Sequence, residues 1–285
     1  MIFNFRKKKQ EKSILFEDII IPDINFDKYI NEYRKFGVVV IPKIFTTEEI
    51  YSLRLASMVS LTKLEDITKG GYKHSPLEIS KGKNGPAPSL LFWPSLASKE
   101  MNSFRIHSKL SSIVKAFLGE NVKQLNNQFY YRFPGDGDSF AWHQDIMFRK
   151  PLDRYPLIVE NDAYLQTSIV VDNISEENSA VEYILGSHNL GNLNLDEKPN
   201  WKGLRGFNRE NISDSLKQLP SRKVSANSGD IVLWSSLIVH GSEKNVSSQS
   251  RMYYMNGFAN ADNCMDWPWY LKDGRVAKLN SKLIP

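Results

Sequence analysis

Between residues 121 and 260, short apolar stretches alternate with clusters of turn residues, and this pattern limits the folds that the chain can adopt. Apolar stretches of this length, bounded by Gly, Pro, Asn and Asp, are typical of β-strands. No long helical pattern separates them, which favours an antiparallel sandwich or barrel over a parallel sheet. The predicted strands cover residues 122–133, 139–148, 163–173, 179–188, 229–242 and 250–260.

The part of the chain before residue 121 shows helical periodicity instead. Residues 26–36 carry apolar side chains at helical spacing, and Gly37 stands where such a helix would end. A second helix is predicted after Thr46 or Thr47, either of which can cap it, and a third over residues 108–118, stopped by Gly119. Residues 65–88 are polar and are predicted to form a long loop of the kind that often acts as a lid.

The formal charge of +5 is concentrated at the N-terminus. Residues 1–12 have five basic side chains and one acidic one, a net +4, so the rest of the chain carries only +1. A solvated tail explains this balance better than a basic binding surface, and no nucleic-acid partner is predicted. The basic residues are Arg6, Lys7, Lys8, Lys9 and Lys12.

Cysteine content and hydropathy point to a cytoplasmic protein. Cys264 is the single cysteine, so no disulfide can form within the chain. The N-terminus does not resemble a signal peptide, and no apolar run approaches the roughly 20 residues that a membrane helix needs. We therefore expect no stable membrane insertion, while the oligomeric state is left open by the sequence.

A histidine and an aspartate two residues apart, His143 and Asp145, lie in one predicted strand. Residues i and i+2 of a strand project from the same face, so an imidazole and a carboxylate could hold one metal ion. The chain has five histidines, and a pair formed by hydrogen bonding alone is an equally good explanation. His240, at the end of an apolar run, and Arg251, on the following strand, supply a third ligand and a cation for a carboxylate.

The order and spacing of these residues resemble the phytanoyl-CoA dioxygenase family. His143 and Asp145 form an H-x-D pair, His240 follows 97 residues after His143, and Arg251 follows 11 residues after that. Four segments resemble the family over about residues 30–258: YRKFGVVVIPKIFTTEEIYSLR, FPGDGDSFAWHQD, ENSAVEYILGSH and GDIVLWSSLIVHGSEKNVSSQSR. The chain departs from the family pattern at three positions, with Ser179 in place of Gly, Leu185 in place of Pro, and Ser168 where some members have a Trp that contacts the cofactor.

The resemblance implies an α+β, mainly β fold with a double-stranded β-helix (jelly-roll, cupin-like) core and N-terminal helices packed on one face. It also implies an Fe(II)- and 2-oxoglutarate-dependent dioxygenase that uses O₂ to hydroxylate an unactivated C–H bond and releases succinate and CO₂. His143, Asp145 and His240 would bind the iron, and Arg251, Ser242 and Tyr130 would bind 2-oxoglutarate. Related halogenases have a small residue in place of the carboxylate, so Asp145 favours hydroxylation.

Side chains beside the metal pair give the best indication of a substrate. Gln128, Tyr130 and Arg132 share one face of a predicted strand. Trp142, Phe148 and Arg149 flank the H-x-D pair, and with Arg132 they would suit a small, anionic molecule. Sheet packing and surface charge explain the same residues equally well. The remaining histidines have weaker expectations: His188 structural, His107 facing solvent, and His74 in the predicted loop.

The domain organisation expected from these patterns is simple. Residues 1–13 are predicted to be a basic flexible tail and residues 14–285 one oxygenase domain. Within that domain, a helical part covers about 14–120, a jelly-roll part about 121–260, and a C-terminal extension 261–285. Two other functions remain open from the sequence: a different metal-dependent enzyme on the same barrel, and an inactive binding protein of this fold.

Overall fold

A computed structural model describes residues 24–82, 84–135, 139–149, 155–195 and 213–284, with the backbone only for Arg149 and Tyr155. The predicted tail, residues 1–13, lies outside this range. The helices are α1 (Phe26–Phe36), α2 (Thr47–Ser60), α3 (Leu64–Lys69), α4 (Lys99–Arg105), α5 (Ser108–Leu118), α6 (Tyr155–Glu160) and α7 (Asp214–Lys217). The strands are β1 (Val38–Ile41), β2 (Leu77–Gly82), β3 (Gly85–Phe92), β4 (Val122–Arg132), β5 (Phe140–His143), β6 (Tyr164–Val170), β7 (Glu182–Ile184), β8 (Ser221–Lys223), β9 (Ile231–Ser235), β10 (His240–Ser242), β11 (Arg251–Asn260), β12 (Trp269–Lys272) and β13 (Arg275–Val276).

The strands form two antiparallel sheets. The large sheet has the order β1-β9-β6-β11-β4-β12-β13, and the β2–β3 hairpin joins it through pairing of β3 with β4. The small sheet has the order β5-β10-β7-β8. Side chains of both sheets pack into one apolar cluster, so the sheets face each other around a shared interior. This is the jelly-roll arrangement that the family resemblance implies.

Alternation along the strands of the large sheet separates two apolar layers. Tyr253 and Met255 of β11 point into the space between the sheets, whereas Met252 and Tyr254 belong to the opposite face. The opposite face is covered by helices, whose buried side chains share a cluster with it. Those helical side chains are Ile50, Leu53, Ala56, Met101, Phe104, Leu110, Ile113 and Val114.

The end of the first predicted helix and the beginning of the second are fixed by residues with clear roles. Gly37 ends α1 with φ of 81°, a left-handed conformation that costs glycine little, and its N–H donates to the carbonyl of Tyr33. Thr46 caps α2: its hydroxyl accepts from the Glu49 N–H while the Glu49 carboxylate accepts from the Thr46 N–H. The predictions of a helix ended by Gly37 and of a cap at Thr46 are both confirmed.

Residues 65–88 do not form the predicted long loop. They contain most of α3, all of β2 and the first half of β3. Pro86 and Pro88 of β3 made this segment resemble a loop, but they lie where β3 pairs only with β2 and not with β4. Proline is tolerated there because one side of the strand needs no ladder hydrogen bond.

The apolar run before His240 is two strands and not one. β9 ends at Ser235 in the large sheet, and β10 begins at His240 in the small sheet. The Ser235 hydroxyl accepts the N–H of Leu237, a local bond that replaces a ladder bond and turns the chain. The predicted final strand, β11, is also followed by β12 and β13. Among the described helices, none is long and apolar enough to cross a membrane.

Asp162 is a partly buried carboxyl group whose pKa is raised to about 7 by burial, against hydrogen bonds from Ser235 and Tyr33 that lower it. Its folded-state pKa exceeds its unfolded one, so stability should fall as pH rises from about 4 to about 7 and then level off. We expect Asp162→Asn to remove this component, because the amide stays neutral and Asn tolerates the φ of 44° found there. Urea unfolding from pH 4 to pH 8 measures the free energy of unfolding of both proteins at each pH. The same dependence of this free energy on pH in both proteins would contradict the raised pKa.

Candidate metal centre and active-site cavity

Two histidines face each other across neighbouring strands of the small sheet. His143 ends β5, His240 begins β10, and the two are register partners with ring centroids 4.2 Å apart. Each Nδ1 lies within hydrogen-bond distance of a backbone carbonyl, that of Ala141 at 2.8 Å for His143 and that of Ile238 at 2.9 Å for His240. These contacts place the ring proton on Nδ1 and leave Nε2 with a lone pair, as a metal ligand requires.

Asp145 is not on the strand that carries His143, because β5 ends there and a 3₁₀ helix begins at Asp145. The turn is held by the Gln144 side chain, which donates to the carbonyls of Gly191 and Leu237 and accepts from the Leu193 N–H. The expectation of one continuous strand over residues 139–148 was therefore wrong, although the side chains of His143 and Asp145 still lie close together. The Asp145 carboxylate lies 3.4 Å from Nε2 of His143 and 3.7 Å from Nε2 of His240.

These three side chains fit a metal ion by geometry and by environment. Their ligand atoms all lie within 4.8 Å of one another, and all three residues are buried. The Trp234 indole N–H of the large sheet donates to Oδ2 of Asp145 at 2.7 Å, which fixes the carboxylate. Two imidazoles and one carboxylate are the ligand set of facial iron sites, which leave coordination positions open for other ligands.

The protonation states of His240 and Asp145 also favour a metal site. Burial lowers the pKa of His240 to about 4, aided by His143 and opposed by Asp145, so its ring is neutral near pH 7. Burial raises the pKa of Asp145, but His240, His143 and the Trp234 N–H outweigh it and hold that pKa well below its usual range. A neutral imidazole and an ionised carboxylate are the forms that bind metal.

We expect Trp234→Phe to weaken metal binding, because the variant removes the N–H that orients Asp145. Loss of such a supporting contact typically costs about 10–100-fold in metal affinity. Anaerobic titration with Fe(II), or with Mn(II) as a stable substitute, measures the change. Trp269→Phe, in β12 beside Lys123, is the matched control and should bind metal as the wild type does; equal affinity of all three proteins would exclude a supporting role for Trp234.

A cavity of about 400 Å³ opens beside these three side chains; Arg251 does not line it but lies behind Ser242 of its wall. Only 1% of Arg251 is exposed, and its Nε and Nη1 have no hydrogen-bond partner among the described residues. Its Nη2 is 3.5 Å from the hydroxyl of Ser242, which lines the cavity. A buried guanidinium without a carboxylate is costly, so this end of the cavity fits a ligand with an anionic group.

The predicted substrate residues separate into three groups. Gln128 and Phe148 line the cavity, as does Tyr130, and Phe148 is 41% exposed at its edge. Trp142 does not line it: its side chain packs on the other face of the small sheet in a cluster with Ile184, Leu216 and Val239. The Arg149 side chain lies outside the described part of the chain.

Arg132 also has a different place from the one predicted. It pairs with Arg251 across β4 and β11, donates to the Tyr130 hydroxyl at 3.2 Å, and is absent from the described cavity wall. It therefore adds positive charge to the Arg251 end and does not line the space where a substrate would lie. The anionic-substrate hypothesis depended on Arg132 and Arg149 together.

The other histidines lie outside the cavity. His107 was expected to face solvent, but it is buried, caps α5 by accepting from the Lys109 N–H, and has its Nε2 3.2 Å from Glu49. His188 is buried with Nε2 3.1 Å from the Arg34 carbonyl, as its predicted structural role requires. His74 is exposed in the turn before β2.

Several cavity residues were missed by sequence reasoning. Trp234 was hidden because β9 and β10 appeared as one strand, so the face on which it lies could not be assigned. Glu78 fell in the predicted loop. Asn126 and Gln166 lie on predicted strands, and their polar side chains at inward positions were the available signal.

The sequence comparisons all match dioxygenases. The sequence model described as Phytanoyl-CoA dioxygenase (PhyH) matches residues 33–253. A Stutzerimonas stutzeri protein named probable alpha-ketoglutarate-dependent hypophosphite dioxygenase is 26% identical over 85% of this chain and 80% of its own. Human peroxisomal phytanoyl-CoA dioxygenase is 23% identical over 90% of this chain and 68% of its own.

Solved structures share the fold at low sequence identity. The epimerase SnoN in complex with Fe³⁺, alpha ketoglutarate and nogalamycin RO matches with a TM-score of 0.65 and 15% identity over 83% of this chain and 84% of that one. EctD from S. alaskensis, with 2-oxoglutarate and 5-hydroxyectoine, matches with a TM-score of 0.62 and 16% identity over 89% and 80%. Ser179, at a position where the family resemblance implies glycine, has φ of 70°, a conformation that favours glycine.

Proposed function

This chain belongs to the phytanoyl-CoA dioxygenase (PhyH) family of Fe(II)- and 2-oxoglutarate-dependent oxygenases, and from that premise we propose that it hydroxylates an unactivated C–H bond of a small molecule, with release of succinate and CO₂. The observation that carries the proposal is the pairing of two features at one cavity. One is the buried cluster of His143, Asp145 and His240, and the other is the buried Arg251 guanidinium, whose Nε and Nη1 have no partner among the described residues.

His143, Asp145 and His240 are the proposed iron ligands. When bound, iron supplies the redox chemistry that couples O₂ activation to decarboxylation of 2-oxoglutarate. The chain contributes orientation: backbone carbonyls fix both rings, and Trp234 fixes the carboxylate. Asp145 also fills the position that a halide would need, so hydroxylation is favoured over halogenation.

Arg251 is the proposed anchor for the carboxylate of 2-oxoglutarate that lies farthest from the metal. Its planar guanidinium has donors at Nε and Nη1 that no described residue accepts, so it keeps hydrogen-bonding capacity for a carboxylate. Ser242 adds a hydroxyl beside Nη2. Tyr130 lines the same wall, with its ring stacked on Tyr253 at a centroid distance of 4.9 Å.

Aromatic side chains enclose the space between the triad and Arg251. Tyr183 stacks on His240 with ring centroids 5.4 Å apart, and Phe140 lies against His143 at 4.6 Å. These rings exclude water from the proposed reaction site, which strengthens its electrostatic interactions and protects reactive species.

The experiment has two stages. Anaerobic addition of Fe(II) and 2-oxoglutarate to the full chain should give a weak visible charge-transfer band, and admission of O₂ should then give succinate in response to compounds from a metabolite library. Absence of the band would favour a binding protein that has lost its chemistry. A band without substrate-linked succinate from any compound would contradict the proposed hydroxylation.

A further inference from the structure

A second polar group lines the cavity and has no part in the chemistry proposed above. It consists of uncharged side chains from two strands of the large sheet, Asn126 and Gln128 of β4 with Gln166 and Ser168 of β6. Asn126, Gln166 and Ser168 are buried. Most of the remaining wall is apolar or aromatic, so these four side chains form a distinct polar area, here called the amide patch.

The strand register explains why the amide patch is a single surface. Asn126 and Gln166 are both register partners of Gly257 in β11, one from each side. A Cβ atom at Gly257 would lie 2.7 Å from Oε1 of Gln166 and 2.8 Å from Cβ of Asn126. The two amides therefore approach each other over bare backbone, a space that any residue except glycine would fill.

Two atoms of the amide patch lack a hydrogen-bond partner. Oε1 of Gln166 and Oγ of Ser168 are buried, and no described residue bonds to either. Asn126 donates from Nδ2 to Oε1 of Gln128 at 3.0 Å, which orients that second amide. Leaving a buried polar atom unsatisfied is unfavourable, so a ligand that donates to these oxygens would be favoured.

Charge separates the amide patch from the Arg251 end. Of the described cavity-lining residues, none is Lys or Arg, and Glu78 at the edge of the cavity is the only acid besides Asp145. Arg251 and Gly257 are six residues apart on the same strand, which is about 20 Å at the usual rise per residue. The cationic end can hold the carboxylate of 2-oxoglutarate, and the patch has no cation for a second anion.

Resting on the proposed function, we propose that the substrate of this enzyme is an uncharged molecule that presents a hydroxyl or carboxamide group to Asn126 and Gln166. Both side chains offer a donor and an acceptor, so either group can complete their hydrogen bonds. A carboxylate or phosphate would be buried there without a cation, and a hydrocarbon would leave the Gln166 oxygen unsatisfied.

The test uses the full chain loaded with Fe(II) and 2-oxoglutarate without O₂. The probes are a library of small metabolites in three classes: uncharged alcohols and carboxamides, carboxylates and phosphates, and hydrocarbons. Perturbation of the charge-transfer band and a rise in melting temperature both report binding without turnover. We expect the ligands to come from the first class.

Variants then locate the binding. Gln166→Leu and Asn126→Leu should each weaken the best ligand about tenfold or more, the cost expected when a site built for hydrogen bonds loses one. Both should bind 2-oxoglutarate as the wild type does, which also shows that they are folded. Gln218→Leu, an exposed glutamine that ends α7, is the matched control and should change neither affinity.

Three results would overturn the inference: a best ligand that is an anion or a hydrocarbon, no ligand from the uncharged class, or unchanged affinity in Gln166→Leu. An anionic ligand weakened by Arg149→Gln would instead support the role predicted for Arg149 from the sequence. Failure of the proposed function is distinguishable, because the wild type would then give no charge-transfer band before any probe is added.

Discussion

We expect the replacement of His240 with alanine to abolish 2-oxoglutarate-dependent succinate formation while leaving the protein folded. His240 supplies one of three proposed iron ligands, and its Nε2 is the atom that faces Asp145 at 3.7 Å. A supporting contact to a ligand is worth about 10–100-fold in metal affinity, so loss of the ligand itself should exceed that range. Anaerobic Fe(II) titration and succinate assays measure the loss, and a melting curve establishes that the fold persists.

The matched control for this variant is His74→Ala. His74 is exposed before β2 and lies outside the cavity wall, so its removal should leave succinate formation unchanged. Near-normal turnover in His240→Ala would mean that the proposed ligand set is wrong. Loss of turnover in both variants would point to a general effect of histidine removal and not to a metal site.

We expect the replacement of Arg251 with methionine to weaken 2-oxoglutarate binding and to stabilise the protein in the absence of that ligand. Truncating one partner of a buried charge pair costs about 2–5 kcal/mol, which is about 30-fold or more in Kd. The second effect has a different origin. Arg251 is buried beside Arg132 and has two donors that no described residue accepts, so an apolar side chain of similar size removes a buried charge that the described residues do not compensate.

Two measurements separate these effects. Titration of the Fe(II) protein with 2-oxoglutarate gives Kd, and melting curves with and without 2-oxoglutarate give the stabilisation by the ligand. We expect 2-oxoglutarate to stabilise the wild type much more than Arg251→Met. Arg222→Met, at an exposed position of β8, is the control and should match the wild type in both measurements; a normal Kd in Arg251→Met would move the carboxylate anchor elsewhere.

The main features of the fold could be predicted from local signals. Gly37, the Thr46 cap and the turn residues after residue 121 act within a few positions of the chain, so periodicity and capping identify them. The β2–β3 hairpin could not be predicted in this way. Its stability comes from pairing with β4, which is more than thirty positions away in sequence, and its prolines suggest a loop when viewed alone.

In the candidate site too, contacts between residues distant in sequence could not be predicted. His143, Asp145, His240 and Arg251 could be identified because they form a spaced motif. The structure brings the first three together at one cavity and places Arg251 behind Ser242 of its wall. Trp142 and Arg132 were misassigned because proximity in sequence to the motif does not decide which face of a sheet a side chain occupies. Gln166 and Asn126 come together only because both pair with Gly257 on a third strand, a relation that the sequence does not reveal.

The β2–β3 hairpin has a consequence for how enzymes of this kind diverge. It contributes Glu78, Leu90 and Phe92 to the edge of the cavity, yet it touches the rest of the sheet mainly through β4 and supplies none of the iron ligands. Mutation, lengthening or replacement of the hairpin can therefore alter which molecules enter while the oxidising residues are inherited unchanged. Selection for a new substrate can therefore act on this peripheral element with little effect on catalysis.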